Sequence, residues 1–245
     1  MNHAAIRRIT SSLFLALLFM SSMAFTQDKT WTVKERSLAA PAAASEQLRQ
    51  SIEATPAPNV AMSQLPFKSS KPFEWDALIK QRANGGDASA KQVIAALGVA
   101  VKNETIAGVN TYLVKPKTID PRFEDRLFIY IHGGAYVFGG GYASVSEAAM
   151  IASTSNIKVL SIDYRMPPSH PFPAAVDDVL AVYKALLNTM SPESLAIGGT
   201  SAGGGLSLAS IHKFKSEGLV VPAALYLGTP WADLTDTSDS LHTNE

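Results

Sequence analysis

The chain contains no cysteine. Disulfide frameworks, thiolate metal sites and thiol nucleophiles are therefore excluded. An excess of either charge is missing too: 21 basic and 21 acidic side chains among 245 residues give zero net charge. There is no basic run, so a nucleic-acid binder working through phosphate neutralisation is set aside, because that needs clustered Lys and Arg. Charged residues make up only 17%, against 47% hydrophobic, which excludes a disordered tail and leaves enough apolar material for a real core. No internal repeat is present. The length suits one large domain, or one domain with a smaller cap.

The N-terminus reads as an address. Arg7 and Arg8 precede an apolar stretch from Ile9 to Met20, and Ser22-Met23-Ala24 then offers small residues for cleavage. The pattern predicts a secretory signal over residues 1–24. The apolar run is shorter than the roughly 20 residues that span a bilayer, which argues against an uncleaved anchor. No cysteine follows it to carry a lipid. Removal of residues 1–24 takes two arginines and no acids from 21 of each sign, leaving a net charge of −2. The expected mature protein is exported, periplasmic or secreted, without stable membrane insertion.

Residues 25–103 read as a linker followed by N-terminal cap helices, and residues 104–245 as the main domain. From Ser37 to Pro66 the chain is rich in Ala, Pro, Ser and Gln, with one short helix around Ala44 to Glu53. Two amphipathic helices are predicted, Phe73 to Ala83 and Ala88 to Val101, separated by a turn at Asn84-Gly85-Gly86-Asp87. Phe73 and Trp75 are expected to pack against the next domain rather than line a pocket. After residue 104, short apolar strands alternate with helices. Strands are expected at Thr105 to Val114, Leu127 to Ile131, Val159 to Ile162, Leu195 to Ile197 and Ala223 to Leu227. Helices are expected at Ser144 to Ser155, Pro173 to Asn188 and Ser201 to Lys215. Buried strands alternating with helices imply an α/β fold, with a mostly parallel sheet covered on both faces.

Two glycine-rich turns carry the chemistry. Gly199-Thr200-Ser201-Ala202-Gly203 sits between a predicted strand and helix, the context in which G-x-S-x-G makes a nucleophile elbow. Such a turn lifts the Ser201 hydroxyl above the sheet, and the following helix presents its N-terminus to a developing negative charge. A phosphate-binding loop fits poorly, since the lysine of a P-loop is missing and the spacing is not G-x-G-x-x-G. The second turn, His132-Gly133-Gly134-Ala135-Tyr136, directly follows a predicted strand. Small residues there let backbone N–H groups point at a substrate oxygen and, with the N–H of Ala202, form an oxyanion hole. His132 is read as ordering this loop rather than as a general base.

His132-Gly133-Gly134-Ala135, Asp163-Tyr164-Arg165, Pro171-Phe172-Pro173-Ala174-Ala175 and Gly199-Thr200-Ser201-Ala202-Gly203-Gly204 together resemble the hormone-sensitive-lipase branch of the α/β-hydrolases, over about residues 70 to 245. The resemblance implies Gly134, Ala135 and Ala202 as oxyanion donors, with Gly133 as a turn residue. Thr200 stands where the family commonly has an acid, and Ala135 where glycine is commoner. Asp163, Arg165, Asp177 and Asp178 match scaffold positions and receive no catalytic role.

A serine nucleophile needs a base and an acid to orient it. After Ser201 the histidines are His212 and His242. His212 lies along the helix that starts at Ser201, roughly 16 Å away at the helical rise, and cannot reach. His242 follows Asp233, Asp236 and Asp239 and restores the order Ser, Asp, His, with Asp239 or Asp236 as the acid. The resemblance, however, places the triad acid and histidine on later loops, so the chain is expected to stop before them and before the fold's last strands and helices.

The leading expectation is an exported serine hydrolase of carboxylic esters or lactones. Ser201 would attack the carbonyl, and neither a metal nor an organic cofactor is needed. The resemblance adds acyl chains of modest length and a pocket capped by the residues 25–100 region. The competing expectation is a catalytically incomplete homologue acting as a binding or accessory protein. A peptidase on the same scaffold is a third. The partner in the leading reading is a small-molecule ester or lactone, not nucleic acid, and the sequence leaves the oligomeric state open.

Overall fold

The computed structural model describes residues 39–56 and 72–235, with side chains from Trp75 onward in the second segment. The predicted signal, most of the linker, the Phe73 side chain, Asp236, Asp239 and His242 lie outside these residues. The chain divides into two compact units between Leu65 and Pro66. In the first, helix α1 (Glu46–Ala54) is started by Ser45, whose hydroxyl accepts from the N–H of Leu48 at 3.3 Å. A serine in that place satisfies one of the helix's orphan donors.

In the second unit α2 (Pro72–Leu97) precedes β1 (Ala100–Ile106) and β2 (Val109–Lys115), followed by β3 (Leu127–Ile131) and α3 (Val145–Ser155). Then come β4 (Lys158–Asp163), α4 (Ala174–Leu186), β5 (Leu195–Thr200), α5 (Ala202–Ser216) and β6 (Ala224–Gly228). The six strands form one sheet in the order β1-β2-β4-β3-β5-β6. β1 and β2 pair antiparallel, as do β2 and β4, while β4, β3, β5 and β6 run parallel. The α/β class and the mostly parallel sheet are those predicted.

The strand period of two sorts the core into two faces. Leu127, Ile129 and Ile131 of β3 join Leu160 and Ile162 of β4 on one face, under Val179, Val182 and Tyr183 of α4 and Leu206 and Phe214 of α5. Tyr130 and Val159 point the other way, under Val145, Ala148, Ala149 and Ala152 of α3. Both faces are covered, which is why the central strands read as continuous apolar runs. Within the first face Tyr183 and Phe214 stack at 4.1 Å, and the Tyr183 hydroxyl donates to the carbonyl of Val220 at 2.7 Å.

The N-terminal cap differs from the sequence expectation. α2 is one helix, running straight through Gly85-Gly86, and β1 begins at Ala100, inside the second predicted helix. The cause is tertiary. A Cβ on Gly86 would sit 2.8 Å from the Cβ of Ala143, so the glycine lets α2 lie close to the short 3-10 turn Gly141–Ser144. The next residue, Asp87, accepts from the N–H of Ala143 at 2.9 Å. Packing and this hydrogen bond outweigh the roughly 1 kcal/mol that a helical glycine costs. Trp75 meets Phe138 at 6.5 Å and the Arg82 guanidinium lies 5.4 Å from the same ring, so Trp75 packs against the main domain as expected.

The two glycines therefore predict opposite signs. A Cβ at Gly85 meets nothing within 4 Å, so Gly85→Ala should raise stability by about 0.5–1 kcal/mol in urea denaturation. Gly86→Ala gains the same propensity but must push Ala143 away, and should lower stability by about 1 kcal/mol or more. Equal effects at the two positions would show that α2 does not pack on the 141–144 turn.

Candidate active site

The glycine loop leaves the C-terminal end of β3, and the elbow leaves the C-terminal end of its neighbour β5. The two are pressed together, backbone on backbone. A Cβ on Gly199 would lie 2.1 Å from the carbonyl oxygen of Ile131, and one on Gly203 would lie 2.0 Å from the same oxygen. From the other side, a Cβ on Gly133 would lie 2.7 Å from the carbonyl oxygen of Thr200. No side chain fits at these positions, so the two motifs are halves of one contact.

At the apex of the elbow Ser201 has φ 58° and ψ −122°, a conformation that L residues rarely adopt. Holding it costs about 1–3 kcal/mol and requires support from the surroundings. The support is local: the Ser201 N–H donates to the carbonyl of Gly228 at 2.8 Å, and its carbonyl accepts from Trp231 N at 2.9 Å and Gly205 N at 3.1 Å. Across from it, Gly134, Ala135 and Tyr136 all have positive φ, of 117°, 54° and 62°. The Gly134 carbonyl accepts from the N–H groups of Val137 and Phe138 and closes the loop.

Asp163 anchors the far end of that loop. Its Oδ1 accepts from Gly141 N at 2.8 Å, and its Oδ2 from Asn110 Nδ2 at 2.9 Å. Asp178 is a buried carboxylate that accepts from the Arg165 backbone N–H and guanidinium, with an ion-pair distance of 2.7 Å. These contacts fit the scaffold roles that the sequence suggested for Asp163, Arg165 and Asp178.

Ser201, Gly133, Gly134 and His132 share the lining of a cavity of about 300 Å³, together with Tyr130, Glu147 and Thr200. Ala202, at the first turn of α5, and Ala135 flank it in sequence. Among the described residues no acceptor takes the backbone N–H of Gly134, Ala135 or Ala202. A second cavity of about 320 Å³ is mainly apolar, lined by Tyr136, Phe172, Val176, Leu206 and Ala209 among others.

His132 is buried, its ring stacked on Tyr164 at 4.2 Å. Nδ1 lies 2.8 Å from the carbonyl of Gly133, which only a donor can face, so the proton sits there. Nε2 has no hydrogen-bond partner among the described residues. Burial pushes the imidazole pKa down, against weaker opposing effects of the Gly133 carbonyl and Asp163. A neutral, stacked ring with its proton committed to its own loop is an ordering element. Elsewhere His170 and His212 are exposed, and no hydrogen bond joins the Ser201 hydroxyl to any described histidine. Among the described residues no cluster of three or more His, Cys, Asp or Glu could hold a metal ion.

Glu147 went unnoticed in the sequence. It reaches the elbow from the first turn of α3, and its carboxylate accepts from the hydroxyls of Thr200 and Tyr130. No local pattern marks it, because its partner lies 53 positions away.

Residues 128–245 match the family of proteins with the alpha/beta hydrolase fold. A crystal structure of an esterase superposes with a TM-score of 0.81 at 42% identity, covering 86% of this chain and 64% of that one. The crystal structure of a hormone-sensitive lipase from a metagenome library gives 0.61 at 35% identity, covering 68% and 55%. These likenesses support a hormone-sensitive-lipase-like esterase family with the alpha/beta hydrolase fold. Similar proteins include an acetyl-hydrolase of Streptomyces hygroscopicus, 37% identical over 46% of this chain and 38% of that protein. An esterase of Acinetobacter venetianus is 36% identical over 49% and 40%. The chain thus spans about two fifths of the length of these two relatives. Among the described residues no helix is long and apolar enough to cross a membrane.

The state of His132 makes a testable prediction. Its folded pKa lies below the ordinary value of 6.5, so as pH falls below that value the unfolded chain binds a proton that the folded one refuses. Stability is therefore full above pH 6.5 and is lost as pH falls towards the folded pKa. His132→Asn keeps a donor to the Gly133 carbonyl and cannot titrate. Urea denaturation from pH 8 to 5 should show a steeper acid loss for the wild type than for this variant. Parallel curves would refute the buried neutral ring.

Proposed function

We propose that the protein is an exported serine hydrolase of carboxylic esters or lactones, with Ser201 as nucleophile and the backbone N–H groups of Gly134, Ala135 and Ala202 as oxyanion donors. The observation that carries the proposal is the elbow: a serine at φ 58° between glycines that cannot carry a side chain, beside a cavity shared with a loop whose N–H groups at Gly134 and Ala135 meet no acceptor among the described residues. Such strain at a half-buried apex is maintained only where the surroundings enforce it, and it aims the hydroxyl away from the sheet. Attack on an ester carbonyl places negative charge on oxygen, where each preorganised donor contributes roughly 3 kcal/mol. Water then releases the acyl group. The apolar cavity beside α5 would accept an acyl chain of modest length. The names of the relatives, an acetyl-hydrolase and an esterase, agree with this substrate class.

Ser201 needs a base, and its acid partner, from outside the described residues. His132 is spent on its loop, and His170 and His212 make no contact with the hydroxyl. A second reading follows from that same observation: the scaffold binds an ester-like ligand without turning it over.

Treatment with a fluorophosphonate followed by peptide mass mapping should place the adduct on Ser201. The protein should also hydrolyse p-nitrophenyl acetate in preference to peptide substrates. Ser201→Ala should abolish the adduct and lower kcat on the order of 10³-fold or more. A folded wild type that takes no adduct would favour the binding reading. Intact mass of the protein from its native host should show Phe25 at the N-terminus, and retention of Met1 would overturn export by signal cleavage.

A further inference from the structure

The Glu147 carboxylate stands between two strand ends. One oxygen accepts from the hydroxyl of Tyr130, two positions before His132 at the end of β3. The other accepts from Thr200 Oγ1, the last residue of β5 and the neighbour of Ser201. A single side chain from α3 thereby ties together the strands from which the glycine loop and the elbow both spring. Tyr130 is buried, and burial, reinforced by the carboxylate, pushes its phenol well above the usual range, so it stays a donor.

Glu147 also borders two cavities. Towards the elbow its neighbours include Tyr130, His132 and Ser201, and on the other side Phe128, Ile151 and Tyr226. Among the described residues the titratable groups facing it are Tyr130 from β3, His132 from the glycine loop and Tyr226 from β6, and no described lysine or arginine lines either cavity. One negative charge here is answered by two hydroxyls. A second would face the first with no cation to offset it.

We infer that Glu147 is a positioning residue for Ser201. Its carboxylate, held by Thr200 and Tyr130, sets the approach to the elbow, and the space between positions 147 and 200 takes one acid only. Position 200 must therefore supply a donor. The inference rests on the nucleophile reading only where rates are concerned.

Five full-length proteins test it: the wild type, Thr200→Asp, Glu147→Gln, Glu147→Ala and the double variant of Thr200→Asp with Glu147→Gln. Each is melted at pH 8 and pH 5 and timed for phosphonylation of Ser201 by a fluorophosphonate. Thr200→Asp should melt several degrees lower at pH 8 and react at least ~10-fold more slowly, because two carboxylates share one site. The melting deficit should shrink at pH 5, where one of the pair takes a proton. Adding Glu147→Gln restores a single charge and lets an amide donate to it, so the double variant should recover most of both losses. Glu147→Gln alone keeps one acceptor and should react faster than Glu147→Ala, which leaves both hydroxyls unanswered.

A Thr200→Asp protein equal to the wild type at pH 8, or a double variant no better than Thr200→Asp, overturns the inference. Should Thr200→Asp fail to fold, a folded double variant is itself the rescue, and an unfolded one is the refutation. A wild type that takes no phosphonyl group overturns the nucleophile reading instead, while the melting cycle between positions 147 and 200 still decides this one.

Discussion

The site depends on one steric constraint: the carbonyl of Ile131 at the end of β3 fills the space where side chains of Gly199 and Gly203 would be. Parallel neighbours in a sheet normally keep about 4.8 Å between backbones and leave room for side chains above them. Here the chain turns off both strands at the same level, so the glycine loop and the elbow must pass at van der Waals contact. Everything at the site follows from that closeness. Ser201 is forced into positive φ because β5 has to become α5 within one residue, and the loop must open outward because Gly133 already touches Thr200. A larger residue at 133, 199 or 203 would separate the two halves rather than merely crowd them.

So tight a junction needs a rigid base, and the two-faced sheet provides it. The strand ends are fixed by apolar side chains on both faces, with α4 and α5 over one and α3 over the other. Polar ties then hold the loop against this base. Asp163 grips Gly141, the Tyr164 hydroxyl donates to the His132 carbonyl at 2.9 Å, and Asp87 reaches across from α2 to Ala143. Each is an acceptor or donor meeting a backbone group that would otherwise be lost to burial, which is where a hydrogen bond contributes most. The loop's length is tied down at its ends, while the N–H groups of Gly134 and Ala135 near its apex meet no acceptor among the described residues.

Much of this was legible in the sequence because it is local. The G-x-S-x-G and H-G-G turns announce themselves by glycine spacing after apolar runs, and strand and helix limits from β3 to β6 differ from expectation by few residues. What was hidden depends on contacts distant in the chain. Gly85-Gly86 is a turn signal by composition, yet α2 continues through it, because a helix face that meets Ala143 requires a small residue and gains the Asp87 hydrogen bond. The predicted second helix gives way to β1 because residues Ala100 to Ile106 pair along their whole length with β2. Glu147 is hidden for the same reason: nothing within ten residues of it hints at Thr200.

His132 shows how sequence narrows a choice that only burial decides. A histidine opening a glycine loop beside a nucleophilic serine has two physical uses, as a base or as a brace. A base must accept a proton during reaction and give it up again, which requires that the imidazolium be tolerated. Burial at 3% exposure, a ring stacked flat on Tyr164 and a folded pKa pushed below the ordinary value all oppose the charged form. A brace needs the reverse: a neutral ring with one fixed tautomer and a short bond to its own loop. The Nδ1 contact to the Gly133 carbonyl supplies that bond. The environment that makes His132 a poor base is thus what makes it an effective support for the loop.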